Sequence, residues 1–379
     1  MIDAEHLQIP LLPAEPVGQL PVRSDHYLPA LQARSGELRA LAHADETTWE
    51  RLTPIVHLAL RAQSGPLTAG AIREQVRNVA ASVGQHTVYL DTLRLGATHP
   101  VTAGKRTVPL LGAIYEQARK RKMRFVPVAH AGETGPQEVE LVSNAVLQDG
   151  HGVGIRYRLR TVVPPASLSV DQYLSDLIES LCTLVSDADL IVDLEYIDGD
   201  VELDCGDVAR ALSSMLSVGP WRSVAVLGTS MPSALGEVKE GTIGSLPRRE
   251  WQLWNELREA GLTRMPAYGD YAIQNPLPPK GGGPGMRANI RYTTDSRTLV
   301  ARGHGPVIQE GSEQYRELCE QLVSRQEFSG GGYTWGDGVI DDCAAGTIAP
   351  GAQGMWRGAG TSHHLRFVTE QLRQMQAAQ

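Results

Sequence analysis

The stretch LIVDLEYI, residues 190–197, decides the fold. Leu190, Val192 and Leu194 share one parity along the segment, whereas Asp193 and Glu195 share the other. Successive side chains of a β-strand point to opposite faces, so the apolar residues cover one face and the two acids lie on the other. This pattern predicts a strand that packs against helices on one side and lines a polar interior on the other.

Strands and helices alternate on both sides of this segment. Strands are predicted at 27–33, 54–60, 87–95, 124–130, 152–159, 190–197, 222–230 and 266–273. Helices are predicted between them at 35–52, 68–84, 108–122, 136–149, 169–188, 205–217 and 247–261. Alternating strands and helices imply parallel strands. Eight such strands predict an α/β protein with a (β/α)8 TIM-type barrel. An open doubly wound sheet is the alternative, but neither of the common glycine-rich phosphate motifs is present.

Three parts of the chain differ in composition. Residues 1–24 are proline-rich and are predicted to form an N-terminal arm, and residues 25–274 form the barrel. Residues 275–379 begin with a Pro- and Gly-rich break and continue as a strand pair (288–303), a helix (312–325), a glycine-rich loop (328–343) and a final helix (361–376). We expect this strand–helix extension to complete the barrel and cover its rim, with helix 312–325 in the place of the eighth barrel helix.

Composition excludes several classes of protein. The net charge is -8, which argues against a nucleic-acid-binding protein. The four cysteines lack metal-ligand spacing, and a disulfide scaffold is not expected at this length. The first residues do not resemble a signal peptide, and no segment approaches the roughly 18 apolar residues of a membrane span. We therefore expect a cytoplasmic protein with no membrane contact.

Four segments carry a resemblance to a known family. YLPALQARSGELRAL near the start, ANIRYTTD, FSGGGYTWGDGVID and WRGAGTSHHLRFVTEQL near the end resemble the phage and bacterial "beta protein" family. The resemblance extends from about Tyr27 through the extension, and its most specific blocks are the C-terminal ones. It implies no established reaction. It implies an association with phages and with bacterial mobile or antiviral-defence gene neighbourhoods, and hence a protein partner from such a neighbourhood.

The barrel prediction determines which side chains face the lumen. The helix-facing parity of each strand must be apolar, so the polar parity faces inward. The predicted inward residues are Gln32, Arg34, His57, Asp91, Arg156, Arg158, Asp193, Glu195 and, from the eighth strand, Asp270. Residues near the carboxyl ends of the strands lie at the face where barrel active sites form. Asp337 and His363 of the extension are predicted to close over this pocket or, alternatively, to cap and pack local structure.

Two hypotheses for function follow from this polar lumen. The first is an enzyme that acts on a phosphate-bearing or other anionic small molecule. Its candidate catalytic residues are Glu195, Asp193, His57 and Asp91, and its candidate ligand-binding residues are Arg34, Arg156, Arg158, Asp270, Asp337 and His363. A divalent metal on the acids is one option, but the sequence specifies neither a metal nor a cofactor. The second hypothesis is a non-catalytic scaffold that binds a protein partner, with the charged lumen serving as a structural ion-pair layer.

Overall fold

The computed structural model describes residues 25–58, 67–92, 99–197, 203–276 and 286–377. The predicted arm, the ends of two predicted strands (59–60 and 93–95) and most of the Pro- and Gly-rich break lie outside the described residues. The strands are β1 (Tyr27–Gln32), β2 (Ile55–His57), β3 (Leu67–Thr68), β4 (Val88–Asp91), β5 (Pro100–Ala103), β6 (Arg106–Pro109), β7 (Phe125–His130), β8 (Val153–Arg158), β9 (Ala188–Tyr196), β10 (Ser223–Thr229), β11 (Thr242–Pro247), β12 (Ala267–Asp270), β13 (Arg287–Thr293) and β14 (Arg297–Pro306).

The helices mostly alternate with these strands. They are α1 (Ser35–Ala42), α2 (Glu46–Trp49), α3 (Ala69–Val83), α4 (Leu110–Lys120), α5 (Pro136–Asp149), α6 (Val170–Ser180), α7 (Cys205–Leu216), α8 (Arg249–Leu257), α9 (Val307–Glu310), α10 (Gln314–Val323), α11 (Trp335–Ala344) and α12 (Gln353–Ala377), with a short 3-10 helix at Val185–Asp187. Among the described residues, no helix is both long and apolar enough to cross a membrane. All four cysteines are free thiols.

Eight of the strands are parallel and close into a barrel in the order β1-β12-β10-β9-β8-β7-β4-β2. Strand β1 pairs with β2 on one side and with β12 on the other, which completes the ring. Each barrel strand coincides with a strand predicted from the sequence, so the predicted (β/α)8 barrel is confirmed.

Two apolar layers enclose the barrel wall. The interior layer fills the inside of the barrel and includes Leu28, Ile55, Val126, Val128 and Ile191. The exterior layer lies between the strands and the helices and includes the helix-facing residues of β9. Ile191 therefore lies inside while Leu190 and Val192 lie outside, as the alternation in residues 190–197 predicts.

The position of the eighth barrel helix differs from the prediction. Helix α12 packs against α1 and β1, and its Leu365, Val368 and Leu372 belong to the exterior barrel core. Helix α10 instead packs on β13 and β14, where Leu318 and Leu322 join a separate apolar cluster of the extension. The prediction that residues 312–325 replace the eighth barrel helix was wrong. Periodicity shows that both helices have an apolar face, but it does not show which surface that face contacts.

The extension and the barrel segment share a sheet. Strand β11 lies between β10 and α8 in the chain, yet it pairs antiparallel with β14, which also pairs with β13. A second small sheet, β3-β5-β6, was likewise not predicted, because its strands are only two to four residues long. The predicted glycine-rich loop contains helix α11, which Thr334 caps by accepting the backbone N–H of Asp337 at 3.1 Å.

Candidate functional site

Arg156 lies at the centre of a buried polar network inside the barrel. It comes from β8, is 0% exposed and uses every donor of its guanidinium. Its Nε and Nη2 donate to Asp193 Oδ2 at 3.1 and 2.7 Å, and Nη2 also lies 2.6 Å from the Tyr271 hydroxyl. Its Nη1 donates to Asp91 Oδ2 and to His57 Nε2, both at 2.6 Å. Arg156 therefore has no donor left for a ligand, and it serves to hold two carboxylates in place.

Asp91, the last residue of β4, joins this arginine to two histidines. Its Oδ1 lies 2.7 Å from His130 Nε2, and its Oδ2 lies 3.3 Å from His57 Nε2. Burial alone would raise the pKa of Asp91, but His130 and Arg156 beside it hold it well below its ordinary value. The carboxylate is thus kept ionised although it is 1% exposed.

His130, the last residue of β7, is the member of this network that sequence reasoning missed. It is 5% exposed. An ionised carboxylate only accepts, so His130 donates its Nε2–H to Asp91. Its Nδ1 is buried without a hydrogen-bond partner. An imidazole that is oriented through one nitrogen and unpaired at the other resembles the histidine of a catalytic triad. The available signal was its position at the end of a barrel strand, but apolar residues on both parities of β7 concealed which way it faces.

His57 lies on the other side of Asp91. Because Arg156 can only donate, His57 Nε2 accepts from it and any ring proton of neutral His57 resides on Nδ1. Burial lowers the pKa of His57, Asp91 opposes this effect, and the charge of Arg156 adds to the decrease. His57 is therefore a neutral imidazole that can donate from Nδ1.

The acid side of the network depends on an unusual backbone at the end of β9. Glu195 has a φ of 56°, a left-handed conformation that is uncommon for residues other than glycine. Its N–H donates to Asp193 Oδ1 at 2.9 Å, and the pairing of β9 with β10 shifts register at this point. The bulge turns Asp193 Oδ2 toward Arg156 and Tyr271, whose hydroxyl donates to it at 2.7 Å. Local strain of this kind often marks functional positions.

Arg158 and Glu195 lie above this network at the rim of the barrel. The Arg158 side chain is 18% exposed, forms an ion pair with Glu133 and lies 3.9 Å from Glu195. Its Nε is buried without a partner. Burial and the charge of Asp193 raise the pKa of Glu195, although Arg158 opposes the increase. The rim thus holds a cation with an unused donor next to an acid that retains its proton more readily than usual.

Asp270 does not face the lumen, contrary to the expectation. Tyr268 belongs to the exterior core, and Asp270 has the same parity and points toward α12. Its carboxylate accepts from the Tyr27 and Tyr268 hydroxyls and lies 3.0 Å from His364 Nε2. The eighth predicted strand has apolar residues on both parities, so the rule used for the other strands could not orient it.

Asp337 and His363 lie in the extension and not over the barrel mouth. Both are fully buried, and His363 Nδ1 lies 3.2 Å from each oxygen of Asp337. Asp337 also accepts from the Tyr292 hydroxyl at 2.7 Å, and the His363 ring stacks on that tyrosine. The structure therefore places these two residues in local packing, the alternative considered for them.

Arg34, another residue predicted to face the lumen, lies between the end of β1 and the start of α1 and is partly buried.

The described residues give no support to a metal centre. Within them, no group of three or more His, Cys, Asp or Glu side chains could hold a metal ion, including the acids suggested from the sequence. The apolar layer of the barrel interior is built entirely from barrel residues, and none of its members comes from residues 286–377. The residues of the polar network around Arg156 likewise belong to the barrel segment.

The fold and the site define a (β/α)8-barrel protein with a buried histidine–carboxylate–arginine network at the carboxyl ends of its strands. The family model of the Beta protein family matches residues 27–370, and the chain belongs to that family. No curated protein matches the sequence. One matching solved structure is a D-psicose 3-epimerase determined in the presence of D-fructose, with 10% identity and a TM-score of 0.33 over 65% of this chain and 84% of that chain.

Proposed function

We propose that the protein is an enzyme that performs acid–base chemistry on a small molecule with an anionic group, bound at the carboxyl ends of the barrel strands. The observation that carries this proposal is the His130–Asp91 pair, in which Nε2 is held at 2.7 Å and Nδ1 is buried without a partner. A structural histidine satisfies both ring nitrogens where it can, since an unpaired buried polar atom costs about 1–3 kcal/mol.

Each residue of the network has a distinct role in this proposal. His130 takes a proton at Nδ1, and Asp91 orients its ring and stabilises the imidazolium that forms. Arg156 holds Asp91 and Asp193 in place and contacts no ligand. His57, neutral beside Arg156, donates a hydrogen bond from Nδ1 to a polar group of the substrate.

The rim residues complete the site. Glu195 supplies a proton, because its pKa is raised while that of Asp91 is lowered. Environments that separate the pKa values of two acids in this way are typical of catalytic acid–base pairs. Arg158, with an unused Nε donor and a partly exposed side chain, binds the anionic group.

The test is a thermal-shift screen of the purified protein. The panel contains sugar phosphates, nucleotides and small carboxylic acids, each beside its uncharged counterpart. The variants are Arg158→Gln and His130→Gln, and the matched control is His151→Gln, which alters a partly buried histidine at the opposite end of the barrel. We expect an anionic compound to raise the melting temperature of the wild type and of His151→Gln, with a smaller shift in Arg158→Gln.

The His130→Gln variant separates catalysis from binding. It should still bind the compound, because Gln can donate to Asp91, but it should not convert the compound to product. Equal shifts in the wild type and Arg158→Gln would contradict the assigned ligand site. If no compound binds to the folded wild type, the scaffold hypothesis would replace the enzyme.

A further inference from the structure

A second polar site lies where the barrel meets the extension. Ile273 and Gln274 follow the last barrel strand, Arg291 lies on β13, and Gln353 and Arg357 lie in the first turns of α12. Together with Asn289 and Trp356 they line a cavity of about 30 Å³. This volume exceeds the roughly 10–15 Å³ that one water needs, so the cavity is large enough for more than a single water molecule.

Two buried side chains, Arg291 in the cavity and Glu37 close to Arg357, have unused hydrogen-bonding capacity. Arg291 donates through Nη1 to the Ile273 carbonyl at 2.5 Å, but its Nε is buried and unpaired. Glu37, in the first turn of α1, is 1% exposed, and neither of its carboxylate oxygens has a partner. The nearest cation to it is Arg357, whose Nε lies 4.0 Å from Glu37 Oε1, beyond hydrogen-bond range.

The charges of this site do not balance. Two guanidinium groups share one carboxylate, and that carboxylate hydrogen-bonds to neither of them. Burial, and to a smaller extent the nearby charge of Arg357, lower the pKa of Arg291 to about 10, and Glu37 only partly opposes this decrease. Burial raises the pKa of Glu37 despite its arginine neighbours, so this acid compensates the arginines only in part.

We propose that Arg291 and Arg357 form a phosphate-binding site, separate from the network around Arg156. A tetrahedral, doubly charged anion matches two guanidinium forks that approach from different elements, and the side-chain amides of Asn289 and Gln353 add donors at the same cavity. A planar carboxylate has one charge and one bidentate edge, which a single arginine would satisfy. The site takes either inorganic phosphate or the phosphate group of a small monoester.

Such an anion would also join the two parts of the chain. It would bridge β13 and α12 of the extension next to the loop that follows β12 of the barrel. Phosphate binding should therefore stabilise the docking of the extension as well as the local cavity.

The experiment is calorimetric titration at constant ionic strength with inorganic phosphate, glycerol phosphate and acetate. The wild type should bind both phosphates at least tenfold more tightly than acetate. Arg357→Gln should weaken phosphate binding by about tenfold or more, and Arg357→Lys by less, since it keeps the charge and loses the fork. Arg258→Gln is the matched control, because it removes an exposed arginine that stacks on Trp254 and is not among the residues that line the cavity.

Glu37→Gln gives a result that a purely structural role would not produce. It keeps the shape of the side chain and removes the negative charge near Arg357, so phosphate should bind several-fold more tightly than to the wild type. Circular dichroism establishes that each variant is folded. His130→Gln should bind phosphate normally, so this proposal and the proposed function can fail separately. Unchanged affinity in Arg357→Gln, weaker binding in Glu37→Gln, or no binding by the wild type would each overturn the site.

Discussion

Asp193 and Asp270 form the same side-chain-to-backbone turn near the carboxyl ends of two barrel strands, yet their carboxylates lie on opposite sides of the sheet. Each accepts the N–H of the residue two positions later, Asp193 from Glu195 at 2.9 Å and Asp270 from Ala272 at 2.8 Å. Both of those later residues have a left-handed φ, 56° and 49°. The local turn is the same in both strands, but the strand face differs: Asp193 points inward to Arg156, and Asp270 points outward to the Tyr27 hydroxyl and α12.

Replacing Asp193 tests the inner half of this arrangement. Asp193→Leu leaves one buried arginine with a single carboxylate partner, and removing one member of a buried pair costs about 3–5 kcal/mol. We expect a loss of that size in the free energy of unfolding, measured by urea denaturation.

The matched control is Arg77→Ala, which breaks an exposed pair with Glu74 on α3. Pairs of that kind contribute at most about 1 kcal/mol. If Asp193→Leu were no more costly than Arg77→Ala, the Asp193–Arg156 pair could not be the buried contact described above.

Close backbone packing between α11 and α12 gives a second prediction. A Cβ at Gly336 would collide with the backbone carbonyl of Ala359, which has no flexible atoms to move away. We expect Gly336→Ala to lower the free energy of unfolding by about 2 kcal/mol, in the range of other overpacked cores. Thermal or urea denaturation measures this loss.

Gly112→Ala on α4 is the control for the glycine substitution. Its Cβ would meet only a leucine side-chain carbon at 3.6 Å, an ordinary contact. The helix should gain about 0.5 kcal/mol, because alanine has a higher helix propensity than glycine. Destabilisation of both variants to the same extent would mean that the α11–α12 contact is not specially tight.

The buried acid Glu37 predicts a dependence of stability on pH. Burial raises its pKa in the folded state, so the folded protein favours the protonated form. The associated stabilisation is fully present below the unfolded-state pKa and is lost as the pH rises through the folded-state pKa. Glu37→Gln mimics the protonated side chain at every pH.

The stability difference between Glu37→Gln and the wild type should therefore grow in favour of the variant from about pH 4 to about pH 8. Melting temperatures in phosphate-free buffers measure it, since phosphate binding would add its own contribution. A difference that stays constant or shrinks as the pH rises would show that Glu37 is not a desolvated acid.

The barrel could be predicted from sequence because, in most of its strands, the alternation of apolar and polar residues shows which face points inward. Alternation in residues 190–197 placed Asp193 inside, and the same rule placed His57, Asp91 and Arg156 beside it. These residues are far apart in sequence, and only closure of the barrel brings them together. The parity rule applies wherever one face of a strand is apolar and the other polar.

The remaining features depend on contacts that no local pattern encodes. His130 lies on a strand that is apolar on both parities, and Asp270 is oriented by His364, 94 positions later. The sequence suggested Arg156 as a ligand-binding residue, but the structure shows that its neighbours occupy all of its donors. The place of α12 depends on glycines such as Gly36, whose backbone closely approaches that of α12.

The most direct test of the proposed active site is the location of the proton on the neutral His130 ring. Nitrogen NMR of the histidine-labelled protein distinguishes protonated from unprotonated ring nitrogens. We expect a proton on Nε2, bound to Asp91, and an unprotonated Nδ1, with this preference weakened in Asp91→Asn. A proton on Nδ1 in the neutral ring of the wild type would contradict the account, because His130 would then have no free lone pair to accept a proton from a substrate.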